Sequence, residues 1–337
     1  RPPRSTLSSS SAASDVYKRQ AFAGSLSLSG GAKMSYVTKG GTLVEGSALD
    51  NVGSGFAMDQ EISASGSGEL DNGFTVTLTH GLNGMSSGGT TNAGSDSSSI
   101  SLDMGDMGKL SYDDTDGHFG LAGLEDFMPM AYEQANDGLG TTGTIATMAK
   151  MASGQGFGYS TTVGGASIGI GYSDNLAATT ARSDGSQDGT VAAATSSSSI
   201  SLSYDVMDSL VIKGGVGSEG QADGKELDHT TIGFVYSFGP ARIGYQLNDE
   251  DDSAAGGSDR ETEIYGVSFM VNDSLSLSYA EHNTELNSDP DDQEADSIQA
   301  SYSMGGMSIN LKDSEMKNVA HGVKSHDTTE VLVVFAF

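Results

Sequence analysis

The sequence predicts an all-β fold, an antiparallel β-barrel that crosses a membrane. Apolar residues stand at every second position through much of the chain, turn signals recur at regular intervals, and the chain ends on an aromatic residue. Strand side chains point alternately to two faces, so this pattern gives each strand one apolar and one polar face. A barrel with lipid outside and water inside favours that arrangement.

The last strand carries the clearest signal. Val331, Val333, Phe335 and Phe337 fall on one side of an extended strand. The final residues of a soluble protein usually fray into water, where an apolar face gains nothing. We therefore expect this face to meet lipid, with the strand closing a barrel that leaves no free edge.

Composition excludes several competing classes. Hydrophobic residues make up 36% of the chain, and no run of about 18 apolar residues exists, which excludes a transmembrane helix. The absence of cysteine excludes disulfides and thiol chemistry. A formal net charge of -29 makes nucleic acid an unsuitable partner, because phosphate binding needs clustered Lys and Arg.

The basic, Ser-rich start differs from everything that follows it. Residues 1–20 lack the apolar core of a secretory signal. We expect this segment to be a non-native leader outside the fold, with residues 21–337 forming a single barrel domain.

Two kinds of turn signal alternate along the chain and give the strand count. The tight turns fall at 69–73, 105–108, 163–166, 205–209, 238–240, 271–274 and 304–307, and most contain Gly, Asn or Asp. Longer polar stretches lie near 39–54, 84–97, 115–152, 175–195, 218–228, 249–259, 284–294 and 315–327. Seven tight turns and eight long loops make fifteen connections, hence sixteen strands with both termini on the short-turn side.

Individual strands show the two faces. Leu275, Leu277 and Tyr279 alternate with serines, and Phe74, Val76 and Leu78 alternate with threonines. A soluble antiparallel sandwich would give the same alternation. Faces of Ser, Thr and Gly on sixteen strands instead suit a wide aqueous lumen. Candidate interfacial girdle residues are Tyr112, Tyr204, Tyr236, Phe238, Tyr279 and Tyr302.

The chain resembles the trimeric general diffusion porins of Gram-negative outer membranes. The resemblance covers about residues 24–337 and rests on the strand and loop count, the long third loop, the opening at 25–34 and the ending at 331–337. It implies a 16-stranded transmembrane barrel with short periplasmic turns, long extracellular loops and a third loop folded into the lumen. Phe337 and Phe335 would then form the signal that the barrel assembly machinery reads.

The resemblance places function in the third loop, about residues 113–153, which would narrow the pore and set acidic residues against a basic wall. This loop is long and rich in apolar groups, which argues against disorder. Our candidates for the constriction are Glu125 and Asp126, followed by Glu133 and Asp137. The alternative is that these acids are solvated loop residues with no special role.

The basic side of the pore is less well defined. Strand parity gives six candidates that face the lumen, scattered over many strands: Lys33, Lys109, Lys213, Arg242, Arg260 and Lys312. Each of them singly suits a charge that balances a nearby carboxylate. Because acidic excess around a channel concentrates cations, we expect a moderate preference for cations.

Other sites have less support. The acidic runs 249–252 and 289–292 read as loop tips that would hold Ca²⁺ or Mg²⁺, or would simply be solvated or bridge lipopolysaccharide. The G-x-S-x-G letters at 165–169 lie inside an alternating strand and lack the helix of a nucleophile elbow. No catalytic constellation is present, so we expect a channel with no resident cofactor and no enzymatic activity.

Two rival classes share parts of this pattern. A substrate-selective channel, for example for sugars or phosphate, would carry a line of aromatics or an Arg cluster along its lumen. A secreted acidic adhesin or calcium-binding solenoid would show a short fixed repeat. Neither feature is visible in the sequence. The expected partners are therefore two further copies of the chain, outer-membrane lipid and lipopolysaccharide, the assembly machinery and small hydrophilic solutes.

We predict that the purified protein migrates on a detergent gel as a trimer, and that only heating converts it to an unfolded monomer that migrates faster. The physical reason is that a closed barrel unfolds as one unit. A protein that dissolves without detergent as a compact monomer, with heat-independent migration, would contradict the barrel.

Overall fold

The structure is a computed structural model, and it describes residues 24–42, 53–83, 94–125, 127–139, 151, 154–175, 195–221, 225–254, 257–319 and 325–337. The predicted leader at 1–20 lies outside the described residues. Within the described part the chain forms one closed antiparallel barrel of sixteen strands. The predicted fold class is confirmed.

Each strand pairs with its neighbours in the sequence, and β1 also pairs with β16. The strands of the first half are β1 Ser25–Thr42, β2 Gly53–Glu69, β3 Thr75–Asn83, β4 Gly94–Asp103, β5 Lys109–Gly117, β6 Gly154–Val163, β7 Ala166–Asn175 and β8 Thr195–Met207. Those of the second half are β9 Leu210–Gly220, β10 Glu226–Phe238, β11 Ala241–Asp252, β12 Arg260–Asn272, β13 Leu275–Leu286, β14 Gln293–Met304, β15 Met307–Lys317 and β16 Ser325–Ala336.

Short turns join β2 to β3, β4 to β5 and each later pair in that series, and both barrel termini lie at the same end. This matches the predicted alternation of tight turns and long loops. In the turn between β10 and β11, Gly239 takes a φ of 59° ahead of Pro240. Glycine adopts that left-handed conformation without steric penalty, which is why it stands in so short a connection.

The period-two pattern sorts side chains between the two surfaces of the barrel. In β10, Ile232, Phe234 and Tyr236 lie on the outer surface and are exposed, whereas Thr231 and Val235, at the alternate positions, are buried inside. An apolar exterior of this kind is stable in contact with acyl chains. Five of the predicted girdle residues are likewise exposed: Tyr204, Tyr236, Phe238, Tyr279 and Tyr302.

The barrel closes where the first and last strands meet. Residues 31–42 of β1 pair with 325–336 of β16, and Phe337 extends the ladder by donating its N–H to the Gly30 carbonyl oxygen at 2.9 Å. The Gly30 N–H donates back to the Phe337 carbonyl oxygen at 2.8 Å. The aromatic end of the chain is therefore hydrogen-bonded as part of the seam.

The sequence-based reading of residues 249–252 as a loop tip is wrong. Asp249, Glu250, Asp251 and Asp252 form the end of β11. Alternation sends Glu250 inward and Asp249 and Asp251 outward, so the four carboxylates do not converge on one ion. The reading of 289–292 as a loop agrees with its place between β13 and β14.

Helical structure is minor. Two short 3₁₀ helices, Gly105–Met107 and Gly120–Leu124, occur among the described residues. Within that same part of the chain, no helix has the length and apolar character needed to cross a membrane.

We predict that Leu78→Arg destabilises the barrel far more than Thr77→Arg. Leu78 is half exposed on the outer face of β3, whereas its neighbour Thr77 pairs with Ser67 and Ser101 on the inner face. A cationic side chain on the lipid face near mid-membrane costs about 2–4 kcal/mol, while the inner face is wet.

Urea titration of the protein folded into lipid vesicles measures the free energy of unfolding of both variants. Equal losses of unfolding free energy would contradict the assignment of the two faces.

Candidate functional site

The described residues of the connection between β5 and β6 lie inside the barrel, against its inner wall. We call residues 118–125 and 127–139 of this connection the belt. Its contacts run in chain order from β6 round to β16, so the belt covers much of the inner surface. Asp126, one of the predicted constriction residues, lies outside the described residues.

The belt begins by packing onto glycines of the wall. At Gly158 of β6, a Cβ would fall 2.1 Å from a ring carbon of Phe119, so the ring needs the space that glycine leaves. The Leu121 N–H then donates to Ser199 Oγ of β8 at 3.0 Å. The short helix Gly120–Leu124 is thereby seated against β7, β8 and β9.

Apolar packing holds the middle of the belt. Phe127 and Met128 form a buried cluster with Val235 of β10 and Ile264 of β12. Pro129 crosses close over glycines of β11 and β12. This stretch is therefore held by burial of apolar area rather than by charge.

Polar side chains of the wall hold most of the remainder, and Leu139 at its end packs in a buried apolar cluster with Ala295, Met316 and Val319. The Ala131 N–H donates to Ser278 Oγ of β13 at 2.9 Å, and the N–H groups of Tyr132 and Glu133 both donate to Gln299 Oε1 of β14 at 3.0 Å. At β16, His326 Nδ1 lies 3.0 Å from the Leu139 carbonyl oxygen. Because this irregular backbone has few internal hydrogen bonds, wall side chains satisfy its N–H and C=O groups.

The predicted acidic residues lie on the belt in different settings. Glu125 is 20% exposed, with Oε2 at 3.9 Å from His118 Nδ1. Glu133 is 34% exposed, with Oε2 at 3.6 Å from Lys312 Nζ. Asp137 accepts the Gln134 N–H at 3.1 Å through Oδ2. Burial, followed by the neighbouring Glu133, raises the pKa of the Tyr132 hydroxyl far above its usual range, so this group stays neutral.

The predicted basic residues separate into two groups. Lys33 and Lys109 are exposed on the inner faces of β1 and β5. The other four lie on strands that the belt crosses. Lys213 stacks over the Phe127 ring at 4.6 Å, and Arg242 lies at the short-turn end of β11. Arg260 Nη1 donates to Glu250 Oε1 at 2.7 Å, and Lys312 is buried.

The sequence reasoning missed charged residues on what we call the open wall, the inner faces of β1–β5. Strand pairing places Lys39, Asp59, Glu61, Glu69, Asp103 and Asp113 there, with Lys33 and Lys109. The signal for two of them was available, because Asp59 and Glu61 alternate with the outward Met58 and Ile62.

Among the described residues, no group of three or more His, Asp and Glu side chains is arranged to hold a metal ion. The buried His229 has Glu219 and Glu250 at 3.8 Å on opposite sides of its ring, too far for hydrogen bonds.

The comparisons with known proteins indicate the same barrel fold as the geometry. A family model described as Gram-negative porin matches residues 5–311. An anion-selective porin from Comamonas acidovorans superposes with a TM-score of 0.67 at 14% identity, and a mutant of Rh. blastica porin with 0.63 at 13%. Each comparison covers 93% of this chain and 100% of the other. A search of curated proteins finds no match.

We predict that Gly158→Val disturbs the belt, whereas Gly55→Val does not. A valine at 158 would overlap the Phe119 ring, and overpacking of this kind costs about 1–3 kcal/mol. Gly55 is a matched control on the inner face of β2, where a Cβ meets nothing within 4 Å.

The unfolding temperatures of the two variants in detergent are measured by their heat-dependent gel migration and compared. If Gly158→Val unfolds at the same temperature as Gly55→Val, the packing of Phe119 on β6 is wrong.

Proposed function

The chain belongs to the family of Gram-negative porins, and we propose that it forms a cation-preferring channel for passive diffusion of small hydrophilic solutes and ions. Family and fold identify an outer-membrane β-barrel that acts as a diffusion channel.

The belt supports the idea of a narrowed pore. It lies against β6–β16, and the open wall carries side chains that are exposed or half-exposed to the lumen. We place the solute path between these two surfaces. A solute crosses down its gradient, and the distance between the belt and the open wall limits its size.

Charge supports the preference for cations. Among the side chains that the structure describes, the open wall carries the carboxylates of Asp59, Glu61, Glu69, Asp103 and Asp113, against Lys33, Lys39 and Lys109. The belt adds Glu125, Glu133 and Asp137 and contains no Lys or Arg. Carboxylates around a low-dielectric channel raise the local concentration of cations. The Comamonas protein is described as anion-selective, so the proposed preference rests on the charged residues of this chain and not on the fold.

Assembly belongs to the same proposal. The apolar outer surface supports contact with lipid, and Phe337 at the seam supports a role as a terminal recognition signal together with Phe335. A homotrimer and contacts with lipopolysaccharide follow from the family resemblance.

We predict that reversal potentials across a planar bilayer with a KCl gradient have the sign of a cation-preferring channel. In Asp59→Asn/Glu61→Gln the potential moves toward zero, because two lumen carboxylates are neutralised. The matched control is Glu315→Gln/Asp327→Asn, which removes two carboxylates from the outer face and leaves the potential nearly unchanged.

Liposome swelling with sugars of graded size tests passive diffusion separately. A reversal potential of anion sign refutes the ion preference alone, whereas no swelling with any sugar and no conductance refute the channel.

A further inference from the structure

We infer that Lys312 is a positioning residue that clamps the second half of the belt, residues 131–139, to the wall and so keeps the solute path open. Strand parity made Lys312 a candidate lumen charge, but the structure buries it between β15 and the belt. The inference rests on the proposed function, because it concerns what holds the constriction in place.

The contacts of Lys312 converge on one bend of the belt. Its Nζ donates to the carbonyl oxygens of Gln134 at 2.6 Å and of Asp137 at 2.8 Å, and it lies 3.6 Å from Glu133 Oε2. Only 3% of the residue is exposed. An ammonium group has three donors, and these three oxygens surround it. The contacts join residues more than 170 positions apart in the chain.

The charge of Lys312 is compensated locally. A buried ammonium is unfavourable unless it is paired and hydrogen-bonded. Glu133 supplies one carboxylate from the belt, and Glu330 faces Lys312 in the β15–β16 pairing. Glu133 and Glu330 also interact electrostatically with each other. Removing Lys312 would therefore leave two carboxylates that repel each other across the contact between belt and wall.

The two halves of the belt are held by different combinations of contacts. Phe119, Leu121, Phe127 and Met128 are held in the first half by apolar packing. The second half is held mainly by hydrogen bonds with polar wall side chains, and Lys312 is the cation among them. Its end is also anchored by a buried apolar cluster of Leu139, Ala295, Met316 and Val319. Loss of Lys312 would therefore release the bend at 133–137 while the first half and Leu139 stay in place. The wall lies behind the released segment, so that segment can move only into the lumen.

Single-channel recording on the full-length protein tests the clamp. In Lys312→Met we expect the mean conductance to fall and the open current to fluctuate several-fold more than in the wild type. Lys33→Met is the matched control, because it removes an exposed lumen cation on β1 that does not hold the belt. That variant should shift the reversal potential and leave the current steady. Heat-dependent gel migration verifies that both barrels are intact.

A second variant keeps the test decisive if Lys312→Met does not fold. Glu133→Lys places a cation beside Lys312 from the half-exposed belt side and should produce the same fluctuating current. Steady current at the wild-type level in whichever of these variants folds overturns the clamp. Absence of any channel in the wild type instead refutes the proposed function, so the two failures are distinguishable.

Discussion

The constraint on which this structure depends is that lipid offers no hydrogen-bonding partners to a peptide backbone. An open sheet would leave two edges unsatisfied, so the sixteen strands close through the pairing of β1 with β16. The closed barrel separates lipid outside from water inside. The period-two alternation of the strands then directs each strand side chain to one of these two environments. The exposed apolar exterior and the hydroxyl-rich interior are consequences of that single requirement.

The same requirement acts inside the barrel, where the belt has no regular ladder of its own. Its first half lies mainly against glycines and apolar side chains of β6–β12. Its second half lies against Ser278, Gln299 and other polar groups of β13–β16, and it ends with Leu139 in an apolar cluster with Ala295 and Met316. Ser278 belongs to the face predicted to line water, yet it accepts a backbone hydrogen bond from the belt, as does Gln299.

Several basic side chains of the chain also contact the barrel wall or the belt. Arg260 is paired with Glu250, Lys213 lies on Phe127 and Lys312 is buried under the belt. Lys33, Lys39 and Lys109 are the basic residues that strand pairing places on the open wall. Because several basic side chains of this strongly acidic chain contact its own scaffold, the solute path is rich in carboxylates. This excess of carboxylates is the physical basis for the proposed ion preference.

The sequence by itself determined the barrel, its strand count, the end at which the short turns lie and the face of most strand residues. Those properties are local, because alternation and turn chemistry are written within about ten neighbouring residues. Only the tertiary structure decided the path of the belt, the burial of Lys312 and the inclusion of Asp249–Asp252 in a strand. The contacts that settle the belt join residues as far apart as Ala131 and Ser278, and no local pattern encodes which wall residue lies opposite.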